Sequence, residues 1–335
     1  MNTSFTFDSI QGRMVIEHLS VDALALGEHQ FWFNAATTAV GQPQLVPVTV
    51  YKASQDGPKA MVTAGVHGDE LNGILAAQQL TRELKGQIIH GSLVVIPAIN
   101  LSGINGNTRD FVATDPDASP ANLNRFFPGK AEGDGANRFL YKLWNNLLKD
   151  NADFTIDLHT QTRGATYPLY VFADFRLQPA LDMARLMGPD CILNDPGDDG
   201  VLETVWNQHG VPCITVEVGT GKLTEPQYIQ RAVEGMKNIL INRLMIKANP
   251  LPLSQQAQCI EGHSVSSVRA QQGGFSLAHV ELLQQVTKGE LIATQYDLFG
   301  DVLMEYYAPE SGTVLSVHSE SLREAGSLLV RLIHP

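Results

Sequence analysis

Apolar residues in the first 250 positions alternate between two patterns. Segments 46–52, 59–66, 91–98, 153–158 and 213–218 are short, largely apolar runs, as strands buried on both faces are. Between them apolar residues recur at helical spacing, clearest at Leu71, Ile74, Leu75, Leu80 and Leu84, with Gly86 just beyond. Similar spacing predicts helices over 136–148, 177–187, 202–209 and 226–247. Pro47 fits a first or edge position in its strand, and Asp56-Gly57-Pro58 reads as a turn. Residues 1–45 supply edge strands. The alternation predicts an α/β fold with a mixed, mostly parallel sheet flanked by helices. Residues 99–135 are rich in Asn, Asp, Gly and Pro; a loop of that length in a compact domain signals function.

The pattern changes after two prolines in 248–254, which read as a linker. Short strands with glycine turns follow at 259–268, 275–279, 302–307, 312–317 and 328–333. Two glycine turns feeding apolar strands, at 286–292 and 322–330, suggest a weak internal duplication. The chain therefore divides into residues 1–250, with a core at about 45–245, and a small all-β, barrel-like domain over 255–335.

The ends of three of these strands hold the chemistry. The first runs from Val62 through His67 and Glu70 to Gly73; the second passes through Asp157 to His159; the third ends in Glu217. Ligands gather at strand carboxyl ends in open α/β sheets. A His–Glu pair three residues apart, a second His and a spare Glu suit a small cation that activates a bound water. A lone His–x–x–Glu is common and carries little. Glu217 inside an apolar run says more, because a buried carboxylate is costly unless paired or near a cation.

Bulk composition narrows the partners. A hydrophobic content of 44% supports a large core, and a net charge of −12 argues against nucleic acid or an anionic membrane surface. It leaves room for a local arginine pocket. Three cysteines give no disulfide framework and point to a reducing compartment. Residues 1–11 lack a secretion-signal pattern and no apolar run approaches a membrane span, so a soluble cytoplasmic protein is expected. Self-association stays open.

Over about 45–245 the chain resembles the aspartoacylase/succinylglutamate desuccinylase family of the zinc carboxypeptidase superfamily. The resemblance rests on Gly65-Val-His67-Gly-Asp-Glu70, Asp157-Leu-His159, Thr215-Val-Glu217-Val-Gly219 and Asn124-Arg125-Phe-Phe-Pro-Gly, in that family's pattern. It implies one Zn2+ per chain on His67, Glu70 and His159, with Glu217 as general base. It implies Arg109 polarising the scissile carbonyl, and Asn124 and Arg125 holding a substrate carboxylate. The implied reaction is hydrolysis of the amide of an N-acyl amino acid by metal-bound water. A carboxypeptidase for short peptides or peptidoglycan fragments and a non-catalytic metal-binding protein are the alternatives. Three features depart from relatives. Asn122 stands where they carry Asp. The 204–209 segment lacks the arginine that aspartoacylase uses for a second carboxylate, a role for which Arg163 is the substitute. No tyrosine is fixed as the active-site one, and Tyr167 and Tyr170 read as packing. The β domain resembles lipoyl- or biotinyl-type barrels without a lysine at the central turn, where Glu310-Ser311-Gly312 stands, so no prosthetic group is expected on it.

Overall fold

The computed structural model describes residues 3–249 and 259–335. An eleven-stranded sheet spans the molecule. At its centre His90–Ile96, Gln55–Ala64, Phe154–Gln161 and Cys213–Thr220 lie side by side and parallel. On one side the sheet continues through Pro43–Lys52, Gly27–Thr37, Arg13–His18 and Ser4–Ile10. On the other it continues through Leu169–Ala173, Cys191–Asn194 and Ile260–Gly262. Antiparallel pairs at both flanks make the sheet mixed.

Side-chain alternation splits the core into two layers. Ala60, Val62 and Ala64 face helices Leu71–Glu83, Gln178–Leu186 and Pro226–Asn242, while Met61 faces Gly135–Leu143 and Leu202–Gln208. Each central strand is thus covered twice, which explains its unbroken apolar sequence.

Several local expectations change. Residues 55–58 are not a turn but the irregular start of a strand, with a register shift between Gln55 and Lys59. Pro47 sits in an interior strand. Its neighbour His90–Ile96 pairs only with Thr49–Lys52, so the missing N–H interrupts no ladder on that side. The 99–135 segment carries a short helix, Leu101–Gly106, and a single 3₁₀ turn, Leu123–Arg125. The long helix stops at Asn242, and much of the expected linker, residues 250–254, lies outside the described residues.

The C-terminal part is β-rich as expected, but its strands form one four-stranded sheet and, together with Ala165–Thr166 of the catalytic part, a five-stranded one, with no closed barrel among the described residues. It is joined to the rest of the chain. Ile260–Gly262 pairs in parallel with Cys191–Asn194, and Gly312–His318 pairs with Ala165–Thr166. Tyr167, Tyr170 and Leu193 share a buried cluster with Leu315 and Ile333. The short strands Leu169–Ala173 and Cys191–Asn194, which periodicity alone does not show, form this seam.

Candidate metal centre and active cavity

Three strand ends converge at the sheet's centre. After Gln55–Ala64 the chain turns at Gly65, whose φ of +69° favours glycine, and delivers His67. Gly68 lies so close to helix Leu101–Gly106 that a Cβ there would stand 2.1 Å from the Gly103 carbonyl carbon. Only glycine allows that approach. Glu70 directly precedes helix Leu71–Glu83. His159 lies in Phe154–Gln161 and is paired in register with Glu217 of the neighbouring strand.

One ligand atom from each of His67, Glu70 and His159 lies within 4.8 Å of the others, and all three residues are buried. His67 Nδ1 is 2.9 Å from Glu70 Oε1, His159 Nδ1 is 2.8 Å from Glu70 Oε2, and the two Nδ1 atoms are 3.2 Å apart. The far ring nitrogens fix the tautomers. His159 Nε2 lies 2.8 Å from Asp157 Oδ2, and His67 Nε2 2.8 Å from Asn122 Oδ1. The Asn124 N–H donates to that same Asn122 oxygen, which sets the amide's orientation. A carboxylate and an amide oxygen only accept, so both Nε2 atoms donate and both Nδ1 lone pairs point at Glu70. Two lone pairs and a carboxylate repel one another unless a cation sits among them. The donor set therefore fits zinc, with oriented histidines of the kind such sites use.

When no metal is bound, protons take the cation's place between the same groups. Burial opposes ionisation of Glu70, yet His67 and His159 hold its carboxyl well below the usual range. Burial likewise opposes a charged His159, but Asp157 and Glu70 raise its proton affinity. Glu217 goes the other way: burial first, then the charge of Glu70, push it up to about 8, against the pull of His159, Arg109 and Gln161. Gln161 Nε2 donates to Glu217 Oε1 at 2.9 Å, while Oε2 has no hydrogen-bond partner among the described residues.

The cluster lies in a cavity of about 460 Å³ that Glu217, Arg109, Asn124 and Arg125 also line. Arg109 Nη1 donates to Glu70 Oε1. The Asn124 oxygen accepts the Leu202 N–H at 2.8 Å, so it fastens the start of helix Leu202–Gln208 as well as lining the cavity. Arg125 is exposed to the cavity, and its Nη1 donates to the Asn124 carbonyl. Arg163 is not brought to this cavity. It is 62% exposed and lies in an adjoining cleft. Tyr167 and Tyr170 are buried packing residues and line no part of the active cavity.

Sequence reasoning missed four residues. Asp157 stands two before His159 on the same strand face, a signal legible in the Asp–x–His spacing. Gln161 holds Glu217 from the paired strand. Asp195 and the buried Glu203 line the cavity, and burial pushes both carboxyls upward. Glu203 lies in a short helix, where Glu reads as a surface residue.

The chain is similar to known proteins in sequence and in fold. Residues 56–243 match the Succinylglutamate desuccinylase/Aspartoacylase catalytic domain. The chain is 27% identical over 282 residues to an N-alpha-acetyl-L-2,4-diaminobutyric acid deacetylase of Halomonas elongata, covering 81% of this chain and 80% of that one. It is 28% identical over 190 residues to a succinylglutamate desuccinylase of Pseudomonas paraeruginosa, covering 52% and 54%. The product-bound structure of the ectoine utilization protein EutE (DoeB) from Ruegeria pomeroyi shares the fold, with a TM-score of 0.80 at 22% identity over 93% of this chain and 97% of that one. So does a succinylglutamate desuccinylase/aspartoacylase structure from Rhodobacter sphaeroides, with a TM-score of 0.82 at 19% identity over 94% and 97%. With its buried His–Glu–His donor set and a match across more than half its length, the chain belongs to the succinylglutamate desuccinylase/aspartoacylase family of zinc-dependent amide hydrolases.

Proposed function

We propose that this chain removes the acyl group from an N-acyl amino acid, using one zinc ion held by His67 Nδ1, Glu70 and His159 Nδ1. The observation that carries the reading is the convergence of those acceptors beside Glu217, whose Oε2 is buried with no hydrogen-bond partner among the described residues. When bound, zinc supplies Lewis acidity to a water and to the scissile carbonyl. Glu217 accepts the proton of the attacking water and passes it to the leaving nitrogen. Its upward shift suits the proton-holding half of that cycle, and a cation alongside favours the ionised half. Gln161 keeps the carboxylate aimed. Arg109 stabilises the developing oxyanion. Arg125 offers a planar fork to the α-carboxylate.

Asp195, Asp198 and Glu203 make part of the same cavity acidic. The Halomonas relative is named for a diamino acid, which carries a second amine. Together these favour an amino acid whose side chain ends in a cation. The free cysteines Cys191, Cys213 and Cys259 fit a reducing compartment. No described helix is long and apolar enough to cross a membrane.

A panel of N-acyl amino acids assayed with the zinc-loaded and the metal-stripped protein tests this. Turnover should require zinc and favour diamino acids over neutral isosteres. Failure of the zinc-loaded protein on the whole panel would remove the reading, and equal rates on cationic and neutral side chains would remove the role of the acidic wall.

A further inference from the structure

We propose that the cleft beside the active cavity, where the β-rich domain meets the end of the His159 strand, is a second carboxylate-binding site. Four guanidinium groups line it: Arg163 from the catalytic part, and Arg269, Arg323 and Arg331 from the β-rich domain. Its volume is about 280 Å³. Gln161 and Thr162 line both this cleft and the active cavity, so the two spaces adjoin.

The arginines are held by neutral acceptors. Arg323 donates from Nη2 to the Gly164 carbonyl and from Nε to the Glu320 carbonyl, both at 2.6 Å. Arg269 Nη1 donates to the Gly326 carbonyl at 2.8 Å, and Arg331 Nε to Ser267 Oγ at 3.0 Å. Each guanidinium has five N–H donors, so these bonds fix the groups and leave donors over. Among the described residues only Arg163 has a carboxylate within ion-pair range: Glu320, at 4.0 Å, with both side chains more than half exposed. Four cations around one small space, with one loose counter-ion, repel each other. An incoming carboxylate relieves that repulsion and meets paired N–H groups in a plane that matches its own. In a chain of net charge −12, such a concentration of arginine is a local feature that bulk charge does not explain.

The inference rests on the N-acyl amino acid reading for one of two sources of that carboxylate. The acyl group can carry it, as a dicarboxylic acyl chain does, with its far end passing Gln161 and Thr162 into the cleft. Alternatively, a separate small carboxylate binds there and acts on the neighbouring cavity. The β-rich domain then has a binding role that its lack of zinc-site residues does not reveal.

The test pairs binding with kinetics on the full-length, zinc-loaded protein. Succinate is titrated calorimetrically into the wild type, into Arg269→Gln/Arg331→Gln, and into Arg125→Gln. Binding should survive Arg125→Gln and weaken about tenfold or more in the double variant, the loss expected for removing charge-assisted hydrogen bonds. The N-acetyl and N-succinyl derivatives of one amino acid are then compared. A kcat/KM loss confined to the succinyl derivative identifies the acyl chain as the source. Equal treatment of the two derivatives with succinate binding still lost identifies a separate carboxylate. Wild-type succinate affinity in the double variant overturns the proposal, and it does so whether or not either derivative is hydrolysed. Arg163→Gln, at an exposed side chain, repeats the titration should the double variant fail to fold, and unchanged affinity there then overturns the proposal.

Discussion

Glu217 and His159 occupy paired positions on two adjacent parallel strands, so a carboxylate with one oxygen unpartnered among the described residues lies next to an imidazole whose lone pair faces Glu70. Register, not loop geometry, sets that relationship, and a one-residue slip of either strand would turn its own side chain to the other face and part the two. A proton acceptor and a metal ligand placed by the same ladder hold their spacing without help from mobile segments.

Glu217→Gln is the first prediction. The amide keeps the shape and removes the proton acceptor. Zinc content should stay near one per chain while kcat falls by several orders of magnitude, because proton transfer and charge stabilisation are lost together. Elemental analysis beside steady-state kinetics checks this. A variant that loses zinc yet keeps its rate per remaining metal would make Glu217 a ligand.

Replacing His159 with Ala should strip most of the metal and leave the fold. The strand Phe154–Gln161 is held by neighbours on both sides, and its core contacts come from Phe154, Ile156 and Leu158. Circular dichroism should look native and bound zinc should fall below a tenth per chain, on the order expected for removing one of three protein ligands. Full zinc occupancy would rule out the ligand set.

Asn122 accepts the His67 Nε2 proton with an amide oxygen rather than a charged carboxylate. Asn122→Asp should raise the imidazole's basicity and tighten zinc by about tenfold, the lower end of the effect such outer partners have. Competition with a chelator measures it. Unchanged or weaker zinc binding in the Asp variant would rule out the missing charge as a determinant of zinc affinity.

Arg125→Lys keeps the positive charge and loses the planar fork. The expected loss in transition-state binding is about 1.5–3 kcal/mol for a substrate with a free α-carboxylate. It should disappear for the corresponding amide. Equal losses on both substrates would mean that Arg125 reads some other group.

Truncation after residue 249 should destabilise the remaining part rather than merely alter its kinetics. It removes Ile260–Gly262 from the edge of the large sheet and uncovers Tyr170 and Leu193, packed against Leu315 and Ile333. Each such side chain is worth about 1.5–3 kcal/mol when fully buried. Thermal unfolding and light scattering should show a lower midpoint and aggregation. A truncated protein as stable as the whole would mean that the seam contributes little.

The sequence by itself determined the elements that repeat with a clear period, and the residues whose chemistry is expensive to bury. Doubly covered strands carry continuous apolar runs, so the central strands and the helix after Glu70 were legible. His67, Glu70, His159 and Glu217 stood out because polar groups at the ends of such runs need a reason to be there. Tertiary structure decided what depends on contacts between distant segments. The short strands at the seam have no period long enough to read. The barrel expected from glycine turns is two sheets, because a turn specifies a hairpin and not how sheets close. Arg163 follows the His159 motif by only four residues, yet the chain bends so that it faces the β-rich domain and not the metal. Asp157 and Asn122 lie 35 residues apart in sequence (157 − 122 = 35) and do the same work on two histidines, which only the assembled site brings into one place.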